Sequence, residues 1–264
     1  MTLPVPRRID DSRSAGKPWL FLSPHLDDAI LSCGALIAAE AGRREVTVAT
    51  IFTESAPPPH TRSARTFMRL AKAEDAAALF EARRAEDLAV WRDLGVKHLH
   101  LGATDAIYRR RTPATGPLGH VARFLPELVH TYPTYRFNIV RGRISRGDRR
   151  LMAQLRSEVE RLMEQTQAEL LFCPLGVGRH VDHVVARSLG TAFLERVVYY
   201  SDFPYNQSAE PEAAFLAEHQ LEPWHWDEGI EAKEHWIRQY DTQADALFPD
   251  GRIPAAPESY FAPL

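Results

Sequence analysis

Residues 19–34 read WLFLSPHLDDAILSCG, and the fold turns on this stretch. An apolar run, Trp19–Leu22, ends in Ser23-Pro24. His25, Asp27 and Asp28 follow, and then apolar residues at helical spacing: Ile30, Leu31, Ala35, Leu36 and Ile37. The pattern is strand, loop, helix, with an imidazole and two carboxylates at the C-terminal end of the strand. Ligands of open α/β sheets bind at that end. An acid at a helix start also caps the helix and suits its dipole. Capping accounts for one Asp, but not for a His and two acids gathered behind a proline.

A second stretch repeats the layout. Leu170–Cys173 is a short apolar run closed by Pro174, and LGVGRHVDHVVARSLG follows, with His180, Asp182 and His183 before the apolar positions Val184, Val185 and Leu189. Two such loops at one edge of a parallel sheet face each other. Together they offer three imidazoles and three carboxylates. A catalytic zinc site takes three His, Asp or Glu ligands and leaves a position for water, so six groups supply the ligands and leave others for acid–base work. The paired pattern reads as a metal-dependent active site.

Composition narrows the class. The chain has 264 residues, 45% of them hydrophobic, and a net charge of −3. That is a full globular core without the basic surplus of a nucleic-acid binder. Two cysteines, Cys33 and Cys173, are too few for a disulfide framework and read as small buried hydrophobes. No signal-peptide core is apparent in residues 1–17 and no apolar run is long enough to span a membrane, so a cytoplasmic protein is expected. A homo-oligomer is compatible with the sequence.

Along the chain, residues 1–17 read as a loose extension before a single domain over 18–264. Strand 19–22, helix 28–41 and the β-branched strand 45–52 form a βαβ unit, which implies a parallel sheet. A loop with three consecutive prolines covers 53–66. A helical region over 67–94, a strand at 96–101 with His98 and His100, an irregular stretch 102–135 with a short helix near 118–130, and a helix over 149–165 follow. Five arginines lie within 141–150, read as a solvated loop. A last strand at 197–200, a helix over 228–247 and a loosely ordered Pro-rich tail complete the chain. Gly176-Val177-Gly178 lacks the rest of a dinucleotide fingerprint, which disfavours a nucleotide-binding Rossmann protein.

SPHLDDAILSCG and GRHVDH resemble the paired P-H-x-D-D and H-x-D-H motifs of the PIG-L/LmbE-like zinc-dependent deacetylases. Softer likeness runs through VTVATIFT, RRAEDLAVWRDLGV, DAIYRR, YYSDFPY and KEHWIRQYDTQ, from about Pro18 to Phe248. Many members carry Glu where this chain has Ala29, which bears on subfamily and substrate. The resemblance implies a Rossmann-like three-layer αβα sandwich with a mostly parallel sheet and one Zn2+ per chain at the C-terminal ends of its strands. It implies His25, Asp28 and His183 as metal ligands and Asp27 as general base. His180 would be the electrostatic and acid partner, kept charged and oriented by Asp182. Asp105, Tyr108 and Arg109 fall in the family's D-A-x-Y-R stretch and are candidates to bind substrate; an Asp–Arg brace for the loop is the other reading. The implied substrate is a small N-acyl amino sugar or its conjugate, with no nucleic-acid partner. Amidase action on a thiol-sugar conjugate, or a catalytically silent metal-binding module, are the rivals. Each ligand His calls for a carboxylate or carbonyl behind it, which the sequence leaves unnamed.

Overall fold

The computed structural model describes residues 5–111 and 123–263. Its centre is a seven-stranded sheet in the order β3-β2-β1-β4-β5-β7-β6. The strands are β1 (Trp19–Ser23), β2 (Val46–Glu54), β3 (Lys97–Thr104), β4 (Leu170–Pro174), β5 (Val197–Tyr200), β6 (Leu221–Trp226) and β7 (Glu258–Pro263). The first five pair in parallel, and β7 runs antiparallel between β5 and β6. The helices are α1 (Val5–Ser14), α2 (Asp28–Glu40), α3 (Arg62–Leu70), α4 (Ala76–Asp93), α5 (Arg149–Thr166), α6 (Val181–Gly190), α7 (Ala213–Glu218), α8 (Ile230–Ile237) and α9 (Asp241–Leu247).

The alternation of side chains along each strand builds two cores. Trp19 and Phe21 of β1 join Val48, Phe172 and Tyr200 under α2, α4 and α8. Leu20 and Leu22 point the other way and join Ala49, Leu171 and Tyr199 under α5 and α6. β1 and β4 are buried at every position, which is why both read as unbroken apolar runs. A smaller third cluster, with Leu26, Phe80, Tyr108 and Tyr132, closes the end of the sheet where the strands point.

Several sequence expectations are corrected. The supposed loose extension holds α1, whose Ile9 lies in the main core and whose Ser12 accepts a hydrogen bond from the Trp19 indole. The helical region 67–94 is two helices that begin earlier, at Arg62: Asp75 accepts from the Ala78 amide and starts α4 afresh. The helix over 228–247 also divides, because Thr242 at the start of α9 is tied to Glu86. The Pro-rich tail ends in β7, where Glu258, Tyr260 and Ala262 alternate inward. β6 carries no strand signal in the sequence because Pro223 breaks its pattern, and an outer strand tolerates that proline. The short helix near 118–130 falls partly outside the described residues; within them, Pro126–Leu128 is a 3-10 turn. Among the described residues no helix is long and apolar enough to cross a membrane.

Ile9 tests the correction at the N-terminus. A buried Ile truncated to Ala costs about 2–5 kcal/mol, whereas the same change in a loose segment costs under about 0.5 kcal/mol. Urea unfolding of Ile9→Ala is expected to show the larger loss; a midpoint within error of wild type would return residues 5–14 to an extension.

Candidate active site

Four loops meet at the C-terminal edge of the parallel strands. The first follows β1. Ser23 fixes it, donating to the His25 carbonyl (2.6 Å) and accepting from the Ala29 amide (3.0 Å). This holds His25, Asp27 and Asp28 over the start of α2. The second follows β4 and turns through Gly178 at φ +80°, where a Cβ would meet the Tyr205 ring at 3.1 Å. His180 then caps α6, placing Asp182 and His183 in its first turn. The loop after β3 brings Asp105 and Ala106, and the loop after β5 brings Asp202.

The donor atoms converge. Asp28 Oδ2 lies 3.1 Å from His25 Nδ1 and 3.3 Å from His183 Nε2. Ligands about 2.0–2.2 Å from a tetrahedral zinc stand roughly 3.3 Å apart, so these spacings suit a shared ion. The outer nitrogen of each ring faces a carboxylate: His183 Nδ1 lies 2.6 Å from Asp202, and His25 Nε2 lies 3.4 Å from Asp182. Carboxylates behind the ligand imidazoles fix the tautomer that offers the inner nitrogen. Asp202, in the YYSDFPY stretch but given no place behind His183 by the sequence, also accepts from the Val177 amide and so ties the loops after β4 and β5 together. Its stretch YYSDFPY is one of the softer likenesses in the sequence, but the contact with His183 is given only by the turn after β5.

Electrostatics favour a cation here. Burial opposes charge on His25 and His183, yet Asp182 and Asp28 raise the first above its ordinary pKa, and Asp28 and Asp202 raise the second. Burial likewise opposes charge on Asp28, but His183 and His25 hold it well below the usual carboxylate range. The pocket thus stabilises positive charge between these groups. Among the described residues two donor sets have all their ligand atoms within 4.8 Å of one another, His25 with His180 and His183, and His25 with Asp105 and Asp182. The His25–Asp28–His183 set differs in having a carboxylate behind each ring.

Asp27 stands at the N-cap position of α2, but its side chain makes no capping hydrogen bond. It lines the cavity beside His25, Asp28, Asp105 and His180. Burial, and then the neighbouring Asp28, push its pKa up to about 7. His180 is not held by the Asp182 carboxylate as expected from the sequence. Its Nδ1 accepts from the Asp182 main-chain amide at 3.3 Å. An accepting Nδ1 carries no proton, so this contact suits a neutral ring with its hydrogen on Nε2. Burial and the adjacent His25 lower its pKa well below the ordinary value, in the same direction. The Asp182 carboxylate is engaged elsewhere, with Arg109, with the Ala106 amide (2.8 Å) and with His25.

The candidates for substrate contact separate. Asp105 lines the cavity. Tyr108 is buried in the third cluster, and Arg109 lies beneath the site. Arg109 donates to Asp148 (2.8 Å), to the Thr104 carbonyl (3.0 Å) and to Asp182. Burial opposes its charge, and Asp182 and Asp148 more than restore it. It braces the floor, where two buried carboxylates require a partner. Arg83 and Gln243, at the ends of the softer stretches RRAEDLAVWRDLGV and KEHWIRQYDTQ, were given no role by the sequence; they line the cavity and bond to each other. Arg83 is only 7% exposed, and its Nε and the Gln243 Nε2 have no other partner among the described residues.

Comparison with known proteins places this geometry. The profile of the PIG-L family, described as GlcNAc-PI de-N-acetylase, matches residues 20–194. The 2'-N-acetylparomamine deacetylase of Streptomyces fradiae is 27% identical over 191 residues, which cover 70% of this chain and 57% of that protein. The chain thus spans little more than half the length of this relative. The zinc-inhibited form of a teicoplanin deacetylase superposes with a TM-score of 0.67 at 22% identity, covering 92% of this chain and 97% of that one. The A40926 pseudoaglycone deacetylase gives 0.65 at 24% identity, with 94% and 96% covered. At such identities the two structures establish the shared fold.

The carboxylate behind His183 yields a direct test. Asp202→Asn is expected to lower divalent-metal affinity about 10- to 100-fold, read by competition with a chromogenic chelator. Unchanged affinity in the folded variant would remove Asp202 from the site.

Proposed function

The chain belongs to the PIG-L family, and we propose from this that it is a divalent-metal-dependent hydrolase that removes the acetyl group from an N-acetylated amino sugar or its conjugate. His25, Asp28 and His183 hold the ion, with zinc favoured by the two-imidazole, one-carboxylate set. When bound, the ion supplies an acidified water and a Lewis-acid contact for the amide carbonyl.

The observation that carries the proposal is Asp27, an N-cap residue whose carboxylate leaves the helix uncapped and turns to the cavity. It takes the proton of the attacking water and later delivers it to the departing amine. A pKa pushed up to about 7 by burial and Asp28 suits both steps, although a cation alongside draws it down. His180 serves as a neutral donor, its Nε2–H directed at the oxygen on which charge develops. Asp182 then works on the metal side, behind His25, rather than as the keeper of His180. Arg83 and Gln243, buried with unused donors, hold substrate hydroxyls across from the base. A silent metal-binding module has no use for Asp27 and His180 in this arrangement.

Amine release from N-acetylated amino sugars, with zinc present, tests the proposal. Asp27→Asn is expected to keep the ion and lose roughly 100- to 10,000-fold in kcat. His180→Ala is expected to keep the ion and lose about 100-fold or more. An Asp27→Asn protein with near-wild-type kcat would rule out the proposed base.

A further inference from the structure

One wall of the cavity comes from late in the chain. The short helix α9 supplies Thr242, Gln243, Ala246 and Leu247 to the lining, and α4 supplies Leu79 and Arg83. The two helices meet through three polar pairs in antiparallel order. Arg83 donates to Gln243, Glu86 accepts from Thr242, and Asp87 accepts from the Tyr240 hydroxyl at 2.8 Å. Residues 83, 86 and 87 stand three and four positions apart from the first, so they share one face of α4.

Glu86 makes the middle contact and uses both its oxygens for it. Oε1 accepts from the Thr242 main-chain amide (3.0 Å) and Oε2 from the Thr242 hydroxyl (2.6 Å). The helix needs this support. α9 has seven residues, too few to hold together alone, and Tyr240 at its N-cap provides no side-chain cap. Glu86 satisfies one of the amides left over at the helix start and sets a negative charge beside the positive end of the helix dipole. Asp87 is fully buried and also accepts from Trp91 (2.7 Å), so it belongs to the core as much as to α9. Glu86 is half-buried and bonds, among the described residues, to Thr242 alone.

Gln243 follows Thr242 directly. With α9 seated, its side-chain oxygen meets the Arg83 guanidinium, and Arg83 Nε and Gln243 Nε2 are left without partners among the described residues. If α9 slipped, Arg83 would stay buried and lose its acceptor, which is costly for a charged group. We propose that Glu86 is a positioning residue of the sugar site: by holding Thr242 it seats α9 against α4, so that Gln243 and Arg83 stand together and offer their remaining donors to the substrate. This rests on the deacetylase reading above and deepens it. Glu86 is not among the residues that line the cavity, so its effect falls on substrate binding and not on the reacting atoms.

The test uses the zinc-loaded full chain. In Glu86→Ala, hydrogen exchange over 241–247, read by mass spectrometry, is expected to quicken about tenfold or more, while 19–34 and 170–190 exchange as in wild type and metal content is unchanged. With N-acetylglucosamine, KM is expected to rise about tenfold, the scale of one lost hydrogen bond to a charged group, with kcat within about twofold. Thr242→Val removes one of the two bonds and is expected to move both readouts the same way by less; Thr242→Ser, which keeps the hydroxyl, is expected to restore them. The Glu86→Ala/Gln243→Ala double variant is expected to show the KM of Gln243→Ala alone, since both changes remove one contact. Wild-type exchange in α9 of Glu86→Ala and Thr242→Val, an unchanged KM despite a loosened α9, or fully additive KM losses would each overturn the inference and leave the deacetylase reading intact. A loosened α9 in Glu86→Ala, with no amine release by the wild type from any acetylated amino sugar, would uphold the seating by Glu86 and overturn the deacetylase reading.

Discussion

The site depends on the pairing of β1 with β4. From β1 the chain moves outward to β2 and β3, then returns to lay β4 on the other side of β1 and moves outward again to β5. The direction of winding reverses between β1 and β4. In parallel sheets the loops leaving such a pair diverge and open a crevice at the strand ends. Each loop here carries a proline at its root and acidic and imidazole groups beyond it. Two segments distant in sequence therefore become the two walls of one pocket, with register set by Trp19 against Leu170 and Phe21 against Phe172.

Charge then organises what the crevice holds. Asp182 is the junction: it accepts from Arg109 and from the Ala106 amide, and its remaining approach is to His25. Arg109 reaches on to Asp148, which Tyr132 also contacts at 2.6 Å. The loops after β3 and β4 and the entry to α5 are thereby locked by one buried guanidinium. Buried carboxylates of this kind are tolerable only when fully partnered. The same network supplies the acceptor behind His25, so the stability of the floor and the orientation of the His25 ring share their side chains. Asp202 does the equivalent for His183 from the opposite side.

Much of this was legible in the sequence because short-range rules governed it. The apolar runs at 19–22 and 170–173 are strands buried on both faces, and the His/Asp groups behind their prolines mark the crevice. What stayed hidden depended on tertiary contact. Ile9 makes α1 stick to the core, although its segment is mostly polar. β7 follows prolines that suggest disorder, yet it fills the gap between β5 and β6. In the sequence Arg109 reads as a substrate contact or as half of an Asp–Arg brace, and Asp182 as a partner of His180, because spacing along the chain cannot say which buried acid a guanidinium will reach. Asp202 and Arg83 lie in the softer stretches YYSDFPY and RRAEDLAVWRDLGV, which give neither a role; a hydrogen bond to the His183 ring and a place in the cavity wall identify them.

The proposed ligand set, His25, Asp28 and His183, puts the ion in one place. Crystals grown with zinc, measured by anomalous diffraction at the zinc edge, test it most directly. The account predicts one strong peak per chain, about 2.0–2.2 Å from His25 Nδ1, His183 Nε2 and an Asp28 oxygen. A peak seated instead among His25, Asp105 and Asp182, or no ordered peak in this crevice, would contradict it.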